Sequence, residues 1–180
     1  MCAMKVAIIG FSGAGKSTLA KQLSQIYQEE VLYMDTVYWL PNWVERPREE
    51  TLEIVGEFLD THDGWIIDGS YGAFHQARRL EEADEIIILT LNRFSCLWRA
   101  IKRRVEYHKK PRESRTKGCE EKLDFEFLIW LLWKGRAKRR LDKFKKIKTQ
   151  YPQKTVVLKT QKQIDRFVKE KYKNKGAQSL

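Results

Sequence analysis

The stretch Gly10-Phe11-Ser12-Gly13-Ala14-Gly15-Lys16-Ser17 fills every fixed position of G-x-x-x-x-G-K-[ST], a pattern whose chemistry is phosphate binding. Glycines let the backbone curl around phosphate groups with its N–H groups turned inward, and the start of a following helix adds positive potential. Gly10, Ser12, Gly13, Ala14, Gly15, Lys16, Ser17 and Thr18 are therefore the expected nucleotide-binding residues. Lys16 is placed to reach the β and γ phosphates of ATP or GTP, Ser17 to bind Mg²⁺, and Thr18 to donate to the α phosphate. The bland reading is a Gly-rich turn between a strand and a helix. The reaction that follows binding has to be read from the remaining polar residues.

Asp68 follows the apolar run Trp65-Ile66-Ile67, at a strand end where a carboxylate can hold Mg²⁺ directly or through water. It could equally cap or expose a strand end. Asp35 is read the same way, either orienting an acceptor group and taking its proton or serving as a turn residue. Phosphoryl transfer needs positive charge around the migrating group, and arginines are plentiful. Arg78 lies beyond Asp68, Arg99 and Arg103 stand one helical turn apart, Arg112 and Arg115 fall in a polar interval, and Arg136, Arg139 and Arg140 follow it. Lys16, Asp35, Arg78, Arg99, Arg103, Arg115 and Arg136 form the expected catalytic set, with Ser17 and Asp68 as the metal ligands. Any one of these arginines taken alone reads equally as a solvated surface charge.

Positioning such a set requires regular elements. Apolar, β-branched runs predict strands over 5–9, 31–34, 65–68, 85–91 and 155–158. Helical spacing predicts helices over 17–28, 47–62, 93–108, 122–148 and 161–172. The run over 85–91 is apolar almost throughout, as a strand covered on both faces requires. Strands alternating with helices call for a mostly parallel sheet with right-handed crossovers, with ligands at the carboxyl ends of its strands. Tyr38, Trp39 and Trp43 line an acceptor pocket or anchor an irregular stretch, and the aromatic run 125–133 is core or a stacking surface for a base. No histidine has metal-ligand spacing, so His62, His75 and His108 receive no role.

The chain has 180 residues, 42% of them hydrophobic, enough for one substantial core and not for a second full domain. Its cysteines, Cys2, Cys96 and Cys119, form neither a disulfide framework nor a zinc pair, which fits a reducing, cytoplasmic setting. Neither a secretory leader nor a membrane span is expected. The formal charge of +11 is uneven: residues 1–98 hold 8 Lys+Arg against 15 Asp+Glu, a net of −7, and the rest hold 27 against 9, a net of +18. The basic half attracts polyanions, whether nucleic acid, an anionic surface or small phosphorylated molecules.

The Gly10–Ser17 loop, the Trp65-Ile66-Ile67-Asp68-Gly69-Ser70-Tyr71 segment and the Arg-rich interval together resemble the adenylate-kinase-like P-loop kinases. With Asp35 and Tyr38-Trp39, and with Gly118-Cys119-Glu120-Glu121 before an aromatic helix, they are similar over residues 4–160 to the bacterial DNA topology modulation proteins. The resemblance implies a three-layer α/β/α nucleoside-monophosphate-kinase fold with a five-stranded parallel sheet and a lid over 109–122. It also implies ATP as donor and a small acceptor near Asp35 and Arg78. Two departures stand out: Asp68-Gly69 leads into Ser70-Tyr71-Gly72 where adenylate kinases have Phe-Pro-Arg, and the lid lacks the cysteines of zinc-bearing lids. Three functions remain open: a kinase for a small nucleotide-like or hydroxylated acceptor, an ATP-binding protein touching nucleic acid through its basic half, and a nucleotide switch.

Overall fold

A computed structural model describes residues 3–106, 113–116, 118–119 and 124–178, with side chains to 175. Strand β1 (Lys5–Gly10) leads through the Gly-rich loop into helix α1 (Lys16–Tyr27). Then come β2 (Val31–Tyr33), the short helix α2 (Met34–Tyr38), and the strands β3 (Trp39–Leu40) and β4 (Val44–Glu45), joined by a 3-10 turn at Pro41–Trp43. Helix α3 (Arg48–Thr61), β5 (Trp65–Asp68), α4 (Gln76–Glu82), β6 (Glu85–Leu89) and α5 (Arg93–Glu106) follow. The chain ends with α6 (Phe125–Leu132), α7 (Lys138–Gln150), β7 (Thr155–Leu158) and α8 (Gln161–Gln178).

Five strands pair in parallel in the order β2-β5-β1-β6-β7. Successive side chains of β1 point to opposite faces, yet Val6, Ala7, Ile8 and Ile9 are all buried. Helices must therefore cover both faces, and a three-layer α/β/α arrangement results. Helix α1 packs against β1, β2, β5 and α8, while α7 and α8 pack against β7. On β6, Ile86, Ile87, Ile88 and Leu89 are each fully buried, each side chain worth about 1.5–3 kcal/mol of transfer free energy. Register then sets the site: Ile8 lies opposite Asp68 and Gly10 opposite Leu89, so the carboxyl ends of β1, β5 and β6 meet at one crevice.

Local structure departs from the sequence expectation in three places. Asp35 sits in the first turn of α2 and not at a strand end, because β2 stops at Tyr33 and fully buried Met34 opens a helix. Residues 74–84 contain a helix, α4, that went unpredicted. The helix expected over 122–148 is two: α6, capped by the Asp124 carboxylate accepting from the Phe127 N–H at 2.8 Å, and α7, separated by a 3-10 turn at Lys134–Arg136. Gly135 makes the break possible, since a β-carbon there would stand 2.7 Å from the Trp130 carbonyl oxygen.

Candidate functional site

The loop between β1 and α1 is held open by its own backbone and by three neighbours. Gly13 has φ +71°, and a β-carbon on it would lie 2.6 Å from the Cys96 carbonyl oxygen, so only glycine fits this approach of α5. The Phe11 N–H donates to Leu89 O at 3.0 Å, tying the loop to the end of β6. Ser70 fastens the other side: its Oγ accepts from the Gly10 N–H at 2.9 Å and donates to Gly10 O at 3.2 Å. Arg99 spans the loop from α5, donating through Nη1 to Ala14 O at 2.7 Å. The result is a cleft of about 1100 Å³ lined by Gly10, Ser12, Gly13, Gly15, Lys16, Ser17 and Thr18. Ala14 is fully buried and outside that lining: its N–H donates to Phe11 O at 3.3 Å and its carbonyl accepts from Arg99.

Lys16 turns its ammonium onto the Phe11 carbonyl oxygen at 3.2 Å, inside the curl of the loop. Ser17 donates from Oγ to Asp68 Oδ2 at 2.6 Å, and Asp68 is 6% exposed. A hydroxyl and a carboxylate at that separation form an oxygen donor pair of the kind Mg²⁺ takes along with phosphate oxygens and waters. Asp35 lines the same cleft and accepts from the Tyr71 hydroxyl at 2.7 Å. Burial, and then the negative charge of Asp35, raise the Tyr71 phenol, so it remains a donor to that carboxylate across the physiological range.

The arginines separate into two groups. Arg99 and Arg103 line the cleft, reaching it from successive turns of α5. Arg136 does not face it: Nη1 donates to Leu91 O at 2.9 Å, Nη2 to Cys96 Sγ at 3.0 Å and Nε to Leu131 O at 3.2 Å, while the guanidinium lies 4.2 Å from the Phe11 ring centroid. It clamps α5 and α6 beneath the loop. Burial pushes the Cys96 thiol up, against the nearby cations that pull it down, which leaves a neutral sulfur to accept that bond. Arg115 is half-buried and outside the cleft lining. Arg78 also stays outside, held at the surface by Asp60 at 2.6 Å and Glu82 at 2.5 Å.

The inward arginine of α4 is Arg79, 3% exposed, which donates to Gly69 O at 3.3 Å and Tyr71 O at 2.6 Å. Burial lowers its pKa to about 10. Gln76, Arg79 and Leu80 are the buried positions of α4, a helical phase that would have singled out Arg79 once the helix was recognised. Trp130 and Arg140 also line the cleft, the guanidinium 5.2 Å from the indole ring centroid. Of the expected lid, 109–112, 117 and 120–122 lie outside the described residues. Its described part is anchored: Glu113 pairs with Lys21 at 2.9 Å, Thr116 Oγ1 donates to Trp39 O at 2.5 Å, and the Cys119 thiol donates to Leu40 O at 3.2 Å.

The strand order together with a phosphate loop after β1 defines a P-loop fold of the nucleoside-monophosphate-kinase type. Solved structures agree. A shikimate kinase from Acinetobacter baumannii in complex with shikimate matches with a TM-score of 0.57 at 16% identity, covering 99% of this chain and 96% of its own. A gluconokinase from Sinorhizobium meliloti 1021 matches at 0.52 and 12% identity, covering 98% and 93%. A deoxyadenosine kinase from M. mycoides with bound dATP matches at 0.51 and 18% identity, covering 93% and 98%. No protein-family model matches the sequence, and neither does any curated protein. Among the described residues no helix is long and apolar enough to cross a membrane.

Proposed function

We propose that this chain is an ATP-dependent phosphotransferase, akin to the DNA topology modulation proteins, that moves the γ-phosphoryl group of ATP to a small hydroxylated or nucleotide-like acceptor. The observation that carries the reading is the opening of Lys16, the Ser17–Asp68 pair and Asp35 into one cleft. A phosphate loop and a carboxylate facing each other across a cleft suit in-line transfer, in which positioning and charge do most of the work. The likeness to kinases that act on shikimate, gluconate or deoxyadenosine, by their names, supports a small acceptor.

In this reading the loop N–H groups and Lys16 bind the β and γ phosphates, with the Lys16 ammonium leaving Phe11 O to do so. Ser17 and Asp68 hold Mg²⁺, which when bound neutralises phosphate charge. Asp35 orients the acceptor hydroxyl and takes its proton, and Tyr71 fixes the orientation of that carboxylate through its hydroxyl. Arg99 and Arg103 bring positive charge to the mouth of the loop, and the segment around Ser114 and Thr116 shields the cleft from water.

The test is ATP consumption by the purified chain with Mg²⁺, screened across nucleosides, nucleoside monophosphates and small hydroxylated acids and sugars. Acceptor-dependent ADP release is expected, and Lys16→Ala should lower it on the order of 10²-fold or more with an unchanged melting temperature. Wild-type turnover in Lys16→Ala would refute the assignment. A second reading, an ATP-binding protein that holds nucleic acid, draws on α7, where Lys138, Lys145, Lys146 and Lys148 are all exposed.

A further inference from the structure

Several half-buried cations among the described residues have a carboxylate: Lys5 has Glu82, Arg46 has Glu50, Arg78 has Asp60 and Glu82, and Lys171 has Glu85. The cations around the Gly69–Gly72 loop do not. Buried Arg79, half-buried Arg140 and the exposed Lys143 have no carboxylate partner among the described residues. Arg79 is nearly inaccessible, spends two donors on the carbonyls of Gly69 and Tyr71, and leaves its Nε proton without an acceptor. Lys143 leans from α7 over the same loop, with its Nζ 2.7 Å from where a β-carbon of Gly72 would stand. Gly72 and Arg140 both line the cleft, and Arg140 is braced against Trp130.

This concentration of charge is unfavourable by itself. Burial lowers the pKa of Arg140, and burial followed by the charges of Arg79, Arg140 and Arg139 lowers that of Lys143. Clustered cations without carboxylates, at the edge of a cleft, form a site for an anion that arrives from solution. The loop beneath them joins this cluster to the acceptor carboxylate, because Tyr71 gives its hydroxyl to Asp35 and its carbonyl to Arg79.

We propose that Arg140 and Lys143, above Gly72 and backed by Arg79, bind an oxyanion of the acceptor, so that the acceptor is a hydroxylated carboxylate or phosphate whose alcohol meets Asp35. This rests on the kinase reading for the word acceptor and on the cation cluster for the word anion. Arg140 supplies a planar fork suited to two oxygens of either group, and Lys143 supplies a point charge. Gly72 leaves the space a side chain would fill. A neutral polyol gains nothing from the cluster, which sets its specificity.

The test uses the full chain with the phosphate loop saturated by a non-hydrolysable ATP analogue and Mg²⁺. Glycerol 3-phosphate, glycerate and glycerol are then titrated by calorimetry into the wild type, Arg140→Met and Lys143→Met. At least one of the two anions should bind and glycerol should not, and each variant should weaken the anion by about 10-fold or more with the analogue's affinity unchanged. Preference for glycerol 3-phosphate or for glycerate assigns the oxyanion as phosphate or carboxylate. The proposal is overturned if neither anion binds the wild type, if both variants bind as the wild type does, or if the variants weaken the ATP analogue instead. Anion binding with the expected losses, but no turnover with any anionic alcohol, would defeat the kinase reading and leave the anion site standing.

Discussion

Arg78 and Arg79 are adjacent and chemically identical, yet helix α4 sends one to the surface and the other under the cleft floor. Arg78 therefore belongs to the ion pairs with Asp60 and Glu82. Burial pushes the Glu82 carboxyl up, but hydrogen bonds and charge from Arg78 and Lys5 outweigh it and hold the group below its ordinary 4.5. A carboxyl lowered on folding contributes stability that is complete above its unfolded value and is lost as pH falls through the folded one. Arg78→Ala is thus expected to lower the melting temperature most above pH 4.5, with the difference shrinking as Glu82 protonates, while ATP turnover stays within about twofold of wild type. Thermal melts across acidic pH, with turnover measured alongside, check both halves. A large loss of turnover would return Arg78 to the catalytic set.

Strands differ in how much of the fold they carry. β6 is an interior strand covered on both faces, whereas β7 is an edge strand on which Thr155, Val156 and Val157 are only half-buried. Ile87→Ala should cost about 2–5 kcal/mol and Val156→Ala clearly less, because the first leaves an enclosed cavity and the second a surface that neighbours and water can fill. Denaturant midpoints of the two variants give the comparison, and equal losses would contradict the burial difference. Among helices, the break between α6 and α7 matters most to the site. A single helix over 122–148 would carry Arg136 and Arg140 on one continuous surface. The 3-10 turn at Lys134–Arg136 lets Arg136 clamp α5 while Arg140 lines the cleft.

Across the whole molecule, the acidic and basic halves of the chain are folded into one site: β1, α2 and β5 supply the loop and the carboxylates, and α5 and α7 supply the cations. The excess charge of α7 that faces outward is available to a polyanion. Duplex DNA is expected to bind weakly at low salt, with log affinity falling by roughly 0.9 per phosphate contacted for each log unit of salt, and to leave acceptor-dependent turnover unchanged. Band shifts over a salt series, run beside the kinase assay, test this; a salt-insensitive complex would mean recognition beyond charge. The amino-acid sequence by itself determined the phosphate loop, the strand that ends in Asp68 and the parallel α/β class, because each depends on residues near one another along the chain. Tertiary structure alone decided that Ser17 meets Asp68, that Tyr71 meets Asp35, and that Arg136 is a clamp while Arg140 lines the cleft and Arg79 lies buried beneath it. Those contacts join residues far apart in the chain, and which side chain arrives is set by strand register and helix phase, quantities fixed only when the elements pack together.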